Sequence, residues 1–117
     1  MEGTCEVRLT RYYDAPPADV WAALRAPASL ARWLGPMAVA VGTSIRSLEA
    51  EKLLELDWAP PGEPPSVVRF ELRADGDGTV LVLDHRLIDA RRGMWAMSLW
   101  SHHLERLDAL LGGVGTA

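Results

Sequence analysis

The stretch that decides the fold lies near the C-terminus and reads ARRGMWAMSLWSHHLERLDALL over residues 90–111. Its large apolar residues recur every three or four positions, which places them on one face of an α-helix. They are Met97, Trp100, Leu104, Leu107 and Leu111. Asp89 is a suitable N-cap, and Gly112–Gly113 is typical of a helix end. A helix of about twenty residues spans ~30 Å, so we expect the rest of the chain to cover its apolar face.

Length and charge limit the classes of function to consider. The 117 residues suit one domain, which we expect to span 1–117 with flexible ends at 1–5 and 114–117. The net charge of −4 argues against a nucleic-acid backbone or an anionic membrane as the partner. Cys5 is the single cysteine, which excludes an internal disulfide and fits a cytoplasmic location. The sequence contains no signal-peptide pattern and no apolar run long enough to span a bilayer.

The first third of the chain predicts a strand followed by two short helices. Residues 6–13 alternate as in a half-buried strand. Pro16–Pro17 then begins a helix, and Ala26–Pro27 separates it from a second one. The inward residues are Val7, Leu9, Arg11 and Tyr13 in the strand and Val20, Trp21, Leu24, Leu30, Trp33 and Leu34 in the helices.

The middle of the chain predicts several short strands joined by turns. We expect them at 37–41, 44–49, 52–58, 67–73 and 79–87. The segment 44–58 has the composition of a helix, but Leu54, Leu56 and Trp58 alternate with acidic residues, which favours two strands. The later inward residues are Val68, Phe70, Leu72, Leu81, Leu83, His85 and Leu87. Proline-rich 59–65 is a loop and 75–78 is a turn. This order predicts an α+β fold in which a curved antiparallel sheet wraps around the terminal helix.

Three segments also resemble a known superfamily. The stretch VRLTRYYDAPPADVWAAL at 7–24 resembles the opening of the SRPBCC superfamily, the START-like or birch-pollen-allergen-like helix-grip proteins. LARWLGP at 30–36 is similar to a signature of the branch related to the C-terminal domain of the activator of heat-shock protein 90 ATPase. GTVLVLDH at 78–85 is similar to its last strand, and the closing helix matches as well. The resemblance implies a helix-grip fold over nearly the whole chain.

The chain departs from this pattern in one place. Members of the superfamily usually carry a long hairpin between the position of Trp33 and the strand that ends at Trp58. Here Gly35 to Ser44 leaves room for little more than one short strand. We therefore expect a shortened central hairpin and a cavity that lacks one wall.

His85 is the most informative polar residue. Its strand parity places it on the inward face, which the resemblance makes the side of the cavity. A buried histidine needs a partner, and Tyr13, Arg11 or Asp57 could supply one. His85 is either a structural histidine at a strand end or the weak candidate for an acid–base residue.

The facing surfaces of sheet and helix are rich in tryptophan. Trp33, Trp58 and Trp100 either line an apolar pocket or fill it. The resemblance implies a ligand between the sheet and the C-terminal helix. The residues expected to contact that ligand are Trp33, Trp58, Phe70, Leu83, His85, Met97 and Trp100.

The remaining polar residues predict no further chemistry. His102 and His103 point about 100° apart on a helix, so they cannot share a metal as an i, i+4 pair could, and we expect surface and flank positions for them. The turn 75–78 lacks the ligand spacing of an EF-hand. A solvated strand edge is expected for Glu49, Glu51, Glu55 and Asp57. The sequence contains no nucleophile motif, phosphate-binding glycine loop or cysteine cluster, so we expect neither cofactor nor metal.

Three functions remain open at this stage. The first is a noncatalytic helix-grip module that binds an apolar small molecule. The second is an enzyme of the polyketide-cyclase or hydrolase kind that uses His85, as the resemblance implies for some relatives. The third is a protein-interaction module, by analogy with the chaperone-activating relative, although fold alone does not fix function.

We expect the protein to form a homodimer. The shortened hairpin would leave a sheet edge near Met37–Ser44 open to pairing. Trp95 lies well away from the centre of the apolar helix face, by 100° per residue. An exposed aromatic there would mark an interface. The alternative is a monomer in which Trp95 packs internally.

Overall fold

A computed structural model describes residues 3–34, 45–58 and 65–111, apart from the side chains of Pro27 and Leu30. The elements, in chain order, are β1 Thr4–Tyr13, α1 Pro17–Arg25, α2 Pro27–Trp33, β2 Ile45–Glu49, β3 Leu53–Trp58, β4 Ser66–Asp75, β5 Gly78–Asp89 and α3 Gly93–Leu110. A 3-10 turn, Ala90–Arg92, joins β5 to α3. The predicted strand at 37–41, most of the loop 59–65, Gly112–Gly113 and the tail 114–117 lie outside the described residues.

The five described strands form one antiparallel sheet in the order β1-β5-β4-β3-β2. Alternate residues of β1, β3, β4 and β5 point to one face of the sheet and supply most of the core together with the helices. The inward residues predicted for β3 and β4 are all buried, as are Leu81 and Leu83 of β5. The structure therefore confirms the predicted helix-grip fold, in which a curved sheet packs around a long C-terminal helix.

The ends of the helices follow local sequence signals. Proline occupies the first turn of α1, where a missing N–H costs nothing. Asp89 accepts a hydrogen bond from the backbone N–H of Arg91 at 3.0 Å, so it caps the 3-10 turn before α3. Gly93 begins α3, and a Cβ at this position would lie 2.8 Å from the Cys5 sulfur. The absence of a side chain at Gly93 thus lets the helix start close to β1.

The buried face of α3 differs from the predicted one. Met97 is 45% exposed, whereas His103, expected at the surface, is buried. The buried residues of the helix are Ala96, Trp100, His103, Leu104 and Leu107. The face is rotated toward His103 because its ring packs against Trp100 and lies within hydrogen-bond distance of the Trp33 carbonyl.

A β-bulge changes the end of β5. Val7 pairs with His85 and Cys5 pairs with Ile88, so two residues of β5 oppose one of β1. Leu87 takes a positive φ of 62° and points to solvent, so its predicted inward position is wrong. Ile88 is buried in its place. The same pairing holds Cys5 in β1, although residues 1–5 were expected to be a flexible end.

A row of alternating charges crosses the outer face of the sheet. Arg8 of β1 pairs with Asp84 of β5 at 2.8 Å, and Asp84 lies opposite Arg69 of β4. Arg69 in turn lies opposite Glu55 of β3. Glu55 is buried rather than solvated as predicted, because it lies within 4 Å of arginines from three strands. These are Arg46, Arg69 and Arg86.

Glu55→Ala is expected to lower the free energy of unfolding by about 2 kcal/mol, since three arginines lose a shared carboxylate. Urea denaturation measures the change. Glu49→Ala is the control, because Glu49 is exposed and pairs with the exposed Lys52 at 3.8 Å. Equal effects of the two substitutions would contradict the assignment of Glu55 as the centre of this cluster.

Candidate functional site

Four large aromatic side chains meet between the sheet and α3. The Trp100 ring centroid lies 5.1 Å from that of Trp58 and 6.0 Å from that of Phe70. Trp33 of α2 packs edge-on to Phe70 at 6.3 Å. All four side chains are almost completely buried. Of the two alternatives raised by the sequence, the described part of the chain therefore supports tryptophans that fill this interior rather than line an open pocket.

A chain of hydrogen bonds runs through this aromatic cluster. The Trp100 indole N–H donates to Nδ1 of His85 at 2.9 Å. An indole N–H can only donate, so Nδ1 carries the lone pair, and we assign the proton of neutral His85 to Nε2. That Nε2–H then donates to the Ser66 hydroxyl at 2.7 Å. The hydroxyl donates in turn to the Trp58 carbonyl at 3.3 Å.

This pattern determines what His85 can do chemically. A histidine that activates a serine must accept its proton, whereas His85 donates to Ser66. Both ring nitrogens are occupied, and the residue is 5% exposed. Burial lowers the pKa of His85 to about 4, so it is neutral at physiological pH. The arrangement is that of a structural histidine with every hydrogen-bonding atom satisfied.

The predicted partners of His85 were wrong. The Tyr13 hydroxyl donates to the Leu104 carbonyl instead, at 3.0 Å, and Asp57 pairs with Arg46. Arg11 donates to the carbonyl of Thr10. Sequence parity placed His85 on the correct face, but it could not show which of several inward polar groups would reach the ring.

His103 is a second buried histidine, and sequence reasoning missed it. Its Nδ1 lies 3.2 Å from the Trp33 carbonyl, to which it can donate. Its Nε2 has no hydrogen-bond partner among the described residues. Burial lowers the pKa of His103. The available signal was spacing, because His103 lies three residues after Trp100 and four before Leu107, both on the buried face.

The structure brings together six of the seven residues expected to contact a ligand. Trp33, Trp58, Phe70, Leu83, His85 and Trp100 are all buried in the interior. Met97 differs from these six residues, because it is 45% exposed. A ligand that touched the six would have to displace side chains that already pack against one another.

The apolar inner face of the sheet continues beyond this aromatic cluster onto β2. One row of paired inner-face residues runs Leu48, Leu54, Phe70, Leu83 and Leu9 across five strands. Leu54, Phe70 and Leu83 are buried, but Leu48 at the end of the row is 53% exposed. Ile45 lies opposite buried Leu56 on β3 and is also exposed. The β2 end of the inner face is thus an accessible apolar surface.

Two depressions lie elsewhere on the described surface. One of about 680 Å³ lies beside the turn that joins β2 to β3, where Arg69, Glu71, Val80 and Val82 are among its lining residues. Another of about 230 Å³ lies where α2 meets α3, between Arg32 and Arg106. Neither is lined by the residues that the sequence singled out for ligand contact.

The described residues contain neither a metal-binding cluster nor a membrane-spanning helix. Within 3–34, 45–58 and 65–111, no group of three or more His, Cys, Asp or Glu side chains is arranged to hold a metal ion. In the same part of the chain, no helix has the length and apolarity needed to cross a bilayer.

The sheet, the two short helices and the closing α3 define a helix-grip protein of the SRPBCC superfamily. The model of one family, described as "Activator of Hsp90 ATPase homolog 1-like protein", matches residues 14–112. The chain belongs to this family, as its resemblance to that branch predicted. A search of the curated proteins gives no match.

Solved structures with this fold include relatives of low sequence identity. Protein MLL2253 from Mesorhizobium loti is 25% identical, with a TM-score of 0.79 over 92% of this chain and 97% of that one. CalU16 from Micromonospora echinospora is 22% identical, with a TM-score of 0.77 over 95% and 85% of the two chains. DynU16, a protein in the dynemicin biosynthetic locus, is 20% identical, with a TM-score of 0.77 over 92% of this chain and 47% of that one.

Proposed function

We propose that this protein is a noncatalytic START-like module that binds an apolar small molecule against the inner face of its sheet, beside the packed interior rather than within it. The proposed site is the β2 end of the inner face, where Ile45 and Leu48 continue the surface of the aromatic cluster. A cytoplasmic location is part of the proposal, because the single cysteine allows no internal disulfide.

One observation carries the proposal. Leu48 lies in an inner-face row whose next three members are buried, yet it is 53% exposed itself. Exposed apolar surface that adjoins a core is a common feature of ligand-binding grooves. Complete burial of an exposed leucine contributes about 1.5–3 kcal/mol, and about half of Leu48 is still exposed. A ligand lying on Leu48 and Ile45 would therefore gain affinity without displacing a tryptophan.

The enzymatic alternative has less support. It required His85 as an acid–base residue, and the ring is buried with both nitrogens engaged. The lowered pKa of His85 also leaves it a weak base at neutral pH. The co-chaperone alternative rests on family membership, which does not fix function.

A fluorescent fatty-acid analogue that brightens in apolar surroundings tests the proposal. Leu48→Glu is expected to weaken its binding by roughly tenfold or more, because a charged carboxylate replaces apolar contact area. The matched control is Leu87→Glu, since Leu87 is equally exposed at 53% but lies outside the inner-face row, at the bulge of β5.

Circular dichroism of both variants shows whether each keeps the fold. Failure of the wild-type protein to bind the probe at micromolar concentration would overturn the proposal. Equal weakening by both substitutions in folded proteins would overturn the assignment of the site to β2.

A further inference from the structure

The outer face of α3 carries apolar side chains that the fold does not use. Met94 is 90% exposed and Trp95 is 50% exposed. Trp95 is therefore not packed in the core, as a monomer with an internal Trp95 would require. The Arg92 guanidinium lies 5.4 Å from the centre of the Trp95 ring, a cation–π distance.

These residues belong to a continuous stripe along the helix. By 100° per residue, all its members fall within an arc of about 100°, opposite the buried face of α3. The outer stripe consists of Met94, Trp95, Ser98, His102 and Glu105, all of which are exposed. Its N-terminal end is apolar, a small serine side chain lies at its centre, and its C-terminal end carries the acidic Glu105.

The stripe is complementary to itself when it is reversed. Arg91 lies seven residues before Ser98, in the 3-10 turn that precedes α3, and Glu105 lies seven residues after Ser98. The Arg91 guanidinium pairs with Asp89 at 2.8 Å but remains 87% exposed, so it can also face a partner. An antiparallel pair of α3 helices related by a two-fold axis at Ser98 would therefore place each Arg91 opposite the other Glu105. The same axis would place Met94 and Trp95 over the small and polar residues that follow Ser98 in the partner.

We propose that the protein forms a homodimer in which two copies of α3 pack antiparallel along this outer stripe, with the two-fold axis at Ser98. The small side chain at the crossing point allows close approach of the helices. Local charge favours a second copy over an anionic surface, because an antiparallel copy brings the exposed cation Arg91 to Glu105, whereas an anionic surface would face Glu105 directly. The other interface predicted from the sequence, near Met37–Ser44, lies mostly outside the described residues.

The geometry predicts a symmetric crosslink. Packed helices lie about 8–10 Å apart, and Cα atoms lie about 2.3 Å from each axis, so the two Ser98 Cα atoms would be about 3.5–5.5 Å apart. The upper part of this range overlaps the Cα–Cα distances of disulfides, about 4.4–6.8 Å. In a Cys5→Ser background, Ser98→Cys is expected to form a covalent dimer under mild oxidation, and the control Thr10→Cys, exposed on β1, is not.

Sedimentation equilibrium of the unmodified protein supplies the independent measurement. We expect a dimer at micromolar concentration, weakened at least about tenfold by Trp95→Ala, because an interfacial tryptophan is commonly a main contributor to association. Glu105→Arg should also weaken the dimer, because it places a second cation opposite Arg91 across the two-fold axis. All variants keep the buried face of α3 unchanged, so each is expected to remain folded.

Each result decides the proposal. A monomer of 12.8 kDa at the highest soluble concentration would overturn it. A dimer in which Ser98→Cys crosslinks no faster than Thr10→Cys would overturn the α3 interface. The ligand proposal is tested separately, because Leu48 lies on the sheet and its substitution leaves the outer stripe intact.

Discussion

Trp100→Ala is expected to lower the free energy of unfolding by about 4 kcal/mol, within the range for removal of a buried tryptophan. Trp100 packs against Trp58, Phe70, His85 and His103, so its loss opens a cavity at the centre of the core. It also removes the hydrogen bond that Nδ1 of His85 accepts. Chemical denaturation with urea, followed by circular dichroism, gives the difference.

Trp95→Ala is the matched control on the same helix. Trp95 is half exposed and lies on the outer stripe, so its removal is expected to change the stability of the monomer by no more than about 0.5 kcal/mol. Denaturation at a protein concentration below that at which the dimer forms separates this effect from association. Similar losses in the two variants would contradict the central position assigned to Trp100.

Trp100→Phe separates packing from hydrogen bonding if the alanine variant does not fold. The phenyl ring keeps much of the apolar contact but has no N–H, so Nδ1 of His85 is left buried without its donor. Such an unsatisfied group costs about 1–3 kcal/mol. Stability equal to that of the wild-type protein would mean that the Trp100–His85 hydrogen bond contributes nothing measurable.

Much of the fold could be predicted because periodicity is a local signal. Alternation fixed the inward faces of β3 and β4, and three- and four-residue spacing fixed Trp100, Leu104 and Leu107 on the buried side of α3. The composition of 44–58 favoured a helix, yet the alternation of Leu54, Leu56 and Trp58 correctly indicated strands. Burial of apolar side chains therefore outweighed helix propensity in this segment.

The errors occurred where the structure depends on contacts distant in sequence. Leu87 faces solvent because of a bulge against β1, and alternation alone contains no sign of it. Glu55 is buried because arginines from three other strands surround it, which requires the strand order to be known. His103 replaces Met97 on the buried face because Trp33 of α2 supplies a carbonyl for its ring.

The candidate site was predicted less completely than the fold. Sequence parity identified the inward aromatics and His85, but it left open whether they enclose a cavity. Volume decides that question, and volume depends on how Trp58, Phe70 and Trp100 orient against one another in space. The exposed inner face of β2 was not predicted either, since Leu48 belongs to the same alternating pattern as its buried neighbours.

Acidification is expected to destabilise the protein as the pH falls from about 6.5 to about 4. The ordinary pKa of histidine is 6.5, and burial lowers that of folded His85 to about 4. Between these values the unfolded chain binds more protons than the folded one, so the free energy of unfolding falls with falling pH. Above pH 6.5 the titration of His85 does not lower the free energy of unfolding. Below pH 4 the loss is complete and amounts to about 3 kcal/mol.

Replacing His85 with glutamine removes this titrating group and isolates its share of the pH dependence. The amide cannot reproduce both hydrogen bonds of the ring, so we expect His85→Gln to be less stable than the wild-type protein at pH 7. Its stability should nevertheless fall less steeply between pH 6.5 and 4, because carboxylates and the remaining buried histidine titrate in both proteins. The informative quantity is the slope of unfolding free energy against pH, measured by urea denaturation at several pH values.

His102→Gln is the control for this measurement, since His102 is exposed and adjacent to buried His103 on α3. It should retain the wild-type slope. If His85→Gln leaves the slope unchanged, the folded protein does not lower the pKa of His85, and the ring is protonated over the same pH range as in the unfolded chain. In that case its Nε2–H···Ser66 hydrogen bond would persist, but Nδ1 could no longer accept from Trp100, because both nitrogens of a charged imidazole are donors. The pH dependence and the hydrogen-bond pattern of the core therefore test the same assignment.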